Sequence, residues 1–298
     1  MGIEFVSYSL HGSKGGMETM EELKENTVQQ TLCMPLWGRA IAAKKYPSLF
    51  PDHDAGRIVK EMGVDWSDKK LYRFQYMWMC CLIRQYNMAW EVRNYLKEHP
   101  HAAVVELGAG LSCLRRQMKN ETNPWYCLDM ENVIPLCEKH IPPGKLERNV
   151  ACDLNDLSWF DRIDFRMEDG IVFTAGGLFY YFEKEQVRRL LCAMAERFPG
   201  GMATFDAGNA VGLNGVNAEV KMAGNKTKSF FSLERPKEEL EGWSEHIMNV
   251  MERDYIDGYL KGGWRKSIVT RVFAWVMKMF HMSFMVHAEF RGIAQDAG

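Results

Sequence analysis

Chemistry in this sequence concentrates at three breaks in the middle of the chain. The apolar run Ala102-Ala103-Val104-Val105-Glu106-Leu107 gives way to Gly108-Ala109-Gly110 and then to the helical segment Leu111–Met118. A strand, a Gly-x-Gly turn and a helix together let a backbone come close to a ligand at a helix N-terminus. Asp129 closes the next run, Trp125–Leu128, where a carboxylate can accept two ribose hydroxyls. Asp153 closes a third, Val150–Cys152, and can accept from an exocyclic amine. Each acid also has a plainer use: Asp129 as the cap of a helix at Glu131, Asp153 as the cap of the turn at Asn155. All three features stand at successive strand ends, where open sheets bind ligands, and this favours a nucleotide-like ligand.

A dinucleotide fingerprint needs a third glycine, and position 113 is Cys. That, with Asp153 downstream, counts against a nicotinamide-dependent oxidoreductase, although Gly-x-Gly plus Asp129 is common to both readings.

Positioning these residues requires alternating strands and helices. Ile171–Ala175 and Met202–Phe205 read as a fourth and fifth strand, the latter ending at Asp206. Between them Val187, Leu190, Leu191, Met194 and Phe198 share one helical face, and Pro199-Gly200-Gly201 stops that helix. The βαβ series implies a parallel sheet with helices on both faces. Residues 17–100 read as helices instead. Pro35 breaks the first of them, and a long amphipathic helix from Leu71 to Leu96 stops at His99-Pro100. Residues 207–235, rich in Gly and Asn, read as a flexible insertion over the sheet's active edge. A short helix at Pro236–Glu241, a strand at Ile247–Met251, a helix near Lys266–Phe280 and a strand His281–Phe290 complete the reading.

Composition narrows the partners. Of 298 residues 47% are hydrophobic, enough for a packed core, and 37 Lys+Arg against 39 Asp+Glu give a net charge of −2. Such a balance recruits neither nucleic acid nor an anionic membrane surface. No uncharged apolar stretch is long enough to span a bilayer, and Met1–Gly16 has no signal-peptide pattern and reads as a disordered leader. The 8 cysteines have no C-x-x-C pair, so neither a disulfide framework nor a zinc or other metal site is expected, and the chain reads as cytoplasmic.

Four segments then fall into a familiar order: Pro35-Leu36-Trp37-Gly38-Arg39-Ala40, Val104-Val105-Glu106-Leu107-Gly108-Ala109-Gly110-Leu111, Asp129-Met130-Glu131-Asn132-Val133-Ile134 and Gly177-Leu178-Phe179-Tyr180-Tyr181-Phe182. Together they resemble the leucine carboxyl methyltransferase superfamily, in its branch similar to tetracenomycin-type polyketide O-methyltransferases. The resemblance implies an α/β class I methyltransferase using S-adenosylmethionine (SAM), with a Rossmann-like, seven-stranded, mostly parallel sheet whose last strand is antiparallel. It implies a leader at 1–16, a helical lid at 17–100 and a SAM-binding domain at 101–298 with a substrate-side insertion around 207–245. By the same resemblance Arg39 and Arg84 clamp the methionyl carboxylate. Gly108 and Gly110 pass under the amino-acid portion beside Glu106, Asp129 holds the ribose, and Asp153 with the Leu154 backbone reads adenine. The acceptor would be a carboxylate or hydroxyl of a small, polyketide-like aromatic molecule. A carboxylate needs no base; for a hydroxyl, Tyr181, His246 and His281 are candidate bases, and Tyr180, Tyr181 and Phe182 could line a planar pocket. One position departs from the pattern. Gly176 stands where the family writes a glutamate for the SAM amino group, which keeps alive a second reading as a SAM-binding sensor without transferase activity.

Overall fold

The structure is a computed structural model that describes residues 33–50, 52–62, 75–222, 228–256, 259 and 268–292. The expected leader and the start of the long helix lie outside them. Three helices come first: α1 (Cys33–Lys45), α2 (His53–Glu61) and α3 (Gln75–Glu98). Pro35 does not break α1. It sits in the first turn, where a helix has no intrahelical use for the missing N–H. Asp52 caps α2 by accepting from Ala55 N–H at 2.9 Å.

The sheet follows as β1 (Ala103–Leu107), β2 (Trp125–Asp129), β3 (Glu147–Ala151), β4 (Ile171–Ala175), β5 (Met202–Ala207), β6 (Ile247–Asp254) and β7 (Phe284–Phe290). Its order is β3-β2-β1-β4-β5-β7-β6. Strands β1 to β5 pair in parallel, and β7 is antiparallel to both its neighbours. β1, β4 and β5 are buried along their whole length, as apolar strands covered on both faces must be.

Helices α4 (Leu114–Met118), α5 (Ile134–His140), α6 (Lys184–Arg197), α7 (Ala210–Met222), α8 (Pro236–Trp243) and α9 (Ile268–Met279) complete the chain. One face of the sheet packs Phe173, Phe205 and Val105 against Trp159, Phe198 and the α6 residues Val187, Leu191 and Met194. The other packs Val104, Trp125, Val172 and Met202 against Leu82, Ile83 and Val92 of α3. Helix α3 is thus part of the core, and it carries Arg84 to the sheet's carboxyl edge.

Part of the presumed flexible insertion is helical. Asn209 caps α7 by accepting from Gly212 N–H at 2.9 Å, and its amide donates to the Phe280 carbonyl at 2.9 Å. A Cβ at Gly212 would lie 1.8 Å from the Met282 carbonyl oxygen. The glycine that weakens helix propensity is what lets α7 lie against the chain entering β7. None of the helices, among the described residues, is long and apolar enough to cross a membrane.

Candidate active site

Parallel pairing brings the carboxyl ends of β1 to β5 to one edge, and the strand order reverses between β1 and β4. Open sheets bind ligands in that crevice. A cleft opens there, lined among others by Arg39, Cys81, Arg84, Glu106, the Gly108–Ser112 turn, Thr174 and Gly176. Gly108 and Gly110 have φ of +58° and +52°, the left-handed region that a side chain disfavours, so the turn is built from the residues that can make it.

Asp129 braces this turn from the neighbouring strand. Its Oδ2 accepts from Gly110 N–H at 2.7 Å and its Oδ1 from Met130 N–H at 2.8 Å. The carboxylate is buried, which raises its pKa, while the two amides act the other way. It does not cap the following helix, because α5 begins only at Ile134 behind Val133. One acceptor position on each oxygen remains.

Glu106 lies deeper. Its Oε1 accepts from Trp125 Nε1 at 2.7 Å and its Oε2 from the Ser112 hydroxyl at 2.6 Å. Burial pushes this carboxyl up to about 7 despite those two donors. An unfolded glutamate titrates near 4.3. Between there and about 7 the folded protein keeps a proton that the unfolded chain has released, so stability falls as pH rises through that window. Above it the loss is complete, on the order of 3–4 kcal/mol. Glu106→Gln is therefore expected to gain stability over wild type as pH rises from about 5 to about 8 in urea melts. A constant difference between the two proteins would reject a raised Glu106.

The two arginines divide. Arg39 Nε donates to Asp52 Oδ2 at 2.7 Å, Nη1 to the Leu111 carbonyl at 2.7 Å and Nη2 to Cys113 Sγ at 3.3 Å. It is 4% exposed, ties α1 and α2 to the glycine turn, and also lines the cleft. Arg84 Nη1 meets Asp206 Oδ2 at 3.2 Å, and its remaining nitrogens have no other partner among the described residues. It lies over Gly176, where a Cβ would touch its Cδ at 3.5 Å and Nε at 3.6 Å. The space a glutamate side chain would enter is bordered by this arginine.

Asp153 is exposed, and its Oδ1 accepts from both the backbone N–H and the side-chain amide of Asn155 at 2.9 Å. This is the turn-capping use anticipated for it. Leu154 is buried in the core beneath. Neither lines the cleft, although the Cys152 N–H to Asp129 carbonyl bond at 2.9 Å keeps that segment beside it. Tyr181 closes a single turn, Phe179–Tyr181, on the same edge and is half-buried. His246 is misplaced for a base. It precedes β6, whose Ile247 pairs with Phe290, next to the Glu289 partner of Met202 at the start of β5. That is the opposite edge of the sheet from Gly108. His281 stands on the cleft's edge of the sheet, but its Nε2 pairs with Glu252 at 2.8 Å and its ring stacks on Phe284.

Sequence reasoning missed Asp52, Ser112, Trp125 and Asp206. Only Asp206 carried a signal, as a third acid at a strand end like Asp129 and Asp153. Tyr180, expected to line a planar pocket, is buried beside Asp206, Arg84 and Ser283.

A strand order of 3-2-1-4-5-7-6 with one antiparallel strand, and a glycine-turn cleft at its switch point, define the class I methyltransferase architecture. The sequence matches the family described as leucine carboxyl methyltransferase over residues 32–195, more than half of the chain. The protein belongs to that family. Among curated proteins none matches the sequence. Among solved structures it is similar to a protein of Thermobifida fusca YX assigned as a methyltransferase, with TM-score 0.54, 14% identity, and coverage of 79% of this chain and 92% of that one. It is also similar to a DUF574 family protein from Streptomyces avermitilis MA-4680, with TM-score 0.54, 12% identity, and 86% and 96% covered. A third is the plantazolicin methyltransferase BamL, solved with a triazolic desmethyl-plantazolicin analogue and S-adenosylhomocysteine (SAH), with TM-score 0.50, 9% identity, and 90% and 100% covered. At these identities the likeness is one of fold.

The residues present fit SAM, the family's cofactor. The cleft's lining offers both a cation, Arg84, and a carboxyl, Glu106, to a zwitterionic amino-acid end. Asp129 keeps free acceptor positions one strand away.

Proposed function

We propose that the protein is an O-methyltransferase that passes a methyl group from SAM to a carboxylate or hydroxyl of a small molecule. The observation that carries this reading is the cleft at the β1/β4 switch point, where Arg84, Glu106 and the Gly108–Gly110 turn converge in a chain of this family. Bound SAM supplies a methyl group on a sulfonium, an electrophile that needs no further activation.

The protein's share is binding and alignment. Arg84 offers a planar fork to a carboxylate, the left-handed glycines let backbone approach the ligand, and Asp129 offers acceptors to vicinal hydroxyls. Helix α3 covers the cleft from the core side and excludes water, which strengthens each of these contacts. A carboxylate acceptor is ionised at neutral pH and asks for no base. For a hydroxyl acceptor, Tyr181 and His281 stand on the cleft's edge; His281 is already paired with Glu252, so Tyr181 is the base we favour, and a planar aromatic acceptor of polyketide type would lie against it.

SAM and SAH are expected to raise the melting temperature, and NAD to leave it unchanged. At a hundredfold excess over Kd the stabilisation is about 2.7 kcal/mol. Stabilisation by NAD alone would overturn the reading. SAH binding with no methylated product from panels of carboxylates and phenols would instead favour a SAM-binding sensor, the reading that Gly176 leaves open.

A further inference from the structure

The ion pair of half-buried Arg84 and buried Asp206 joins two elements far apart in sequence. Gly177 has φ of +69°, and a Cβ built on it would lie 2.2 Å from Arg84 Nη1 and 2.6 Å from its Cζ. The guanidinium therefore occupies the space any side chain at 177 would take. Asp206, at the end of β5 and 2% exposed, accepts from Gly177 N–H at 2.6 Å through Oδ1 and from Arg84 Nη1 at 3.2 Å through Oδ2. One carboxylate thus fixes both the guanidinium and the backbone on which it lies. Burial opposes the charge on Arg84, and the attraction and hydrogen bond of Asp206, with smaller contributions from Cys81 and Tyr255, together hold its pKa above the usual value. Arg84 also lines the cleft with Gly108 and Glu106, and its Nε and Nη2 have no protein partner among the described residues.

We infer that Asp206 is a positioning residue for the methyl donor: it anchors Nη1 of Arg84 over Gly177 so that the guanidinium's unpaired nitrogens are held for the carboxylate at the donor's amino-acid end. A guanidinium on a long, freely rotating side chain loses conformational freedom when it binds. One already pinned at Nη1 and packed against Gly176 and Gly177 has lost that freedom in advance, and its fork is preorganised. The inference rests on the donor reading above.

The test compares SAH with 5′-methylthioadenosine, which has the same nucleoside and thioether but no amino-acid end, by calorimetric titration. Asp206→Asn is expected to weaken SAH binding about 10- to 100-fold. Affinity for 5′-methylthioadenosine should stay within about twofold of wild type, a split that a general loosening of the fold would not produce. Adding Asp206→Asn to Arg84→Gln should weaken SAH no further, because Asp206 acts through Arg84. Unchanged SAH affinity in Asp206→Asn, equal losses for both ligands, or additive effects with Arg84→Gln would overturn the inference. If Asp206→Asn fails to melt cooperatively, Gly177→Ala replaces it: the new methyl displaces the guanidinium while Asp206 stays, and the same selective loss is expected. Unselective or absent loss there would overturn it equally. Wild-type protein that binds neither ligand would sink the donor reading itself, and the role of Asp206 with it.

Discussion

Arg39→Ala should destabilise the ligand-free protein by about 3–5 kcal/mol, the usual cost of leaving one member of a buried ion pair behind. Asp52 is 3% exposed at its side chain and would keep the Ala55 N–H and the Gln117 amide but lose its cation. The Leu111 carbonyl would lose its donor. The substitution also severs α1 from α2 and from the glycine turn. Arg39→Lys should recover only part of the loss, because one ammonium cannot serve Asp52, Leu111 and Cys113 from one planar fork. Urea melts without ligand decide the matter. Were Arg39 chiefly a clamp for the methionyl carboxylate, those melts would match wild type and only SAH affinity would fall.

The contrast between Arg39 and Arg84 marks where the sequence stops being readable. The βαβ series, the glycine turn and the three acids at strand ends are local patterns, and the structure keeps them within a few residues. Helix α7 was not visible, because Gly212, Gly215 and two asparagines argue against a helix on propensity, while what decides is the approach of Gly212 to a carbonyl at Met282. His246 looked as usable as any histidine until the pairing of β6 with β7 put it at the opposite edge of the sheet. Arg39 meets Leu111 and Arg84 meets Asp206 across 72 and 122 residues, and no spacing rule reports such a pair. The resemblance to the family singled out both arginines but could not separate the one that braces the turn from the one whose nitrogens remain available. Fold and cleft are therefore legible from periodicity and strand ends, whereas the division of labour within the cleft depends on tertiary contacts.

Asp129 braces the glycine turn and, on the function proposed above, also holds the ribose, so its substitution is expected to affect both stability and binding. Its two oxygens hold the Gly110 and Met130 amides, so Asp129→Ala orphans two N–H groups, one of them in the turn that shapes the cleft. That should cost about 1–3 kcal/mol of stability. Loss of two charge-assisted bonds to ribose hydroxyls adds a separate penalty of about 2–4 kcal/mol in SAH affinity, roughly 30- to 1,000-fold. Asp129→Asn keeps one acceptor oxygen and can hold Gly110 or Met130, but not both, so it should fall between wild type and alanine on each scale. Calorimetric titration with SAH beside a urea melt separates the two effects. A large loss of affinity that outlasts correction for stability identifies Asp129 as a ribose ligand. A loss of stability with affinity intact would reduce it to a strut for the glycine turn, and the ribose would then have to be held by backbone groups around Met130 or by Asp153 through the carboxylate oxygen that its Asn155 turn leaves free.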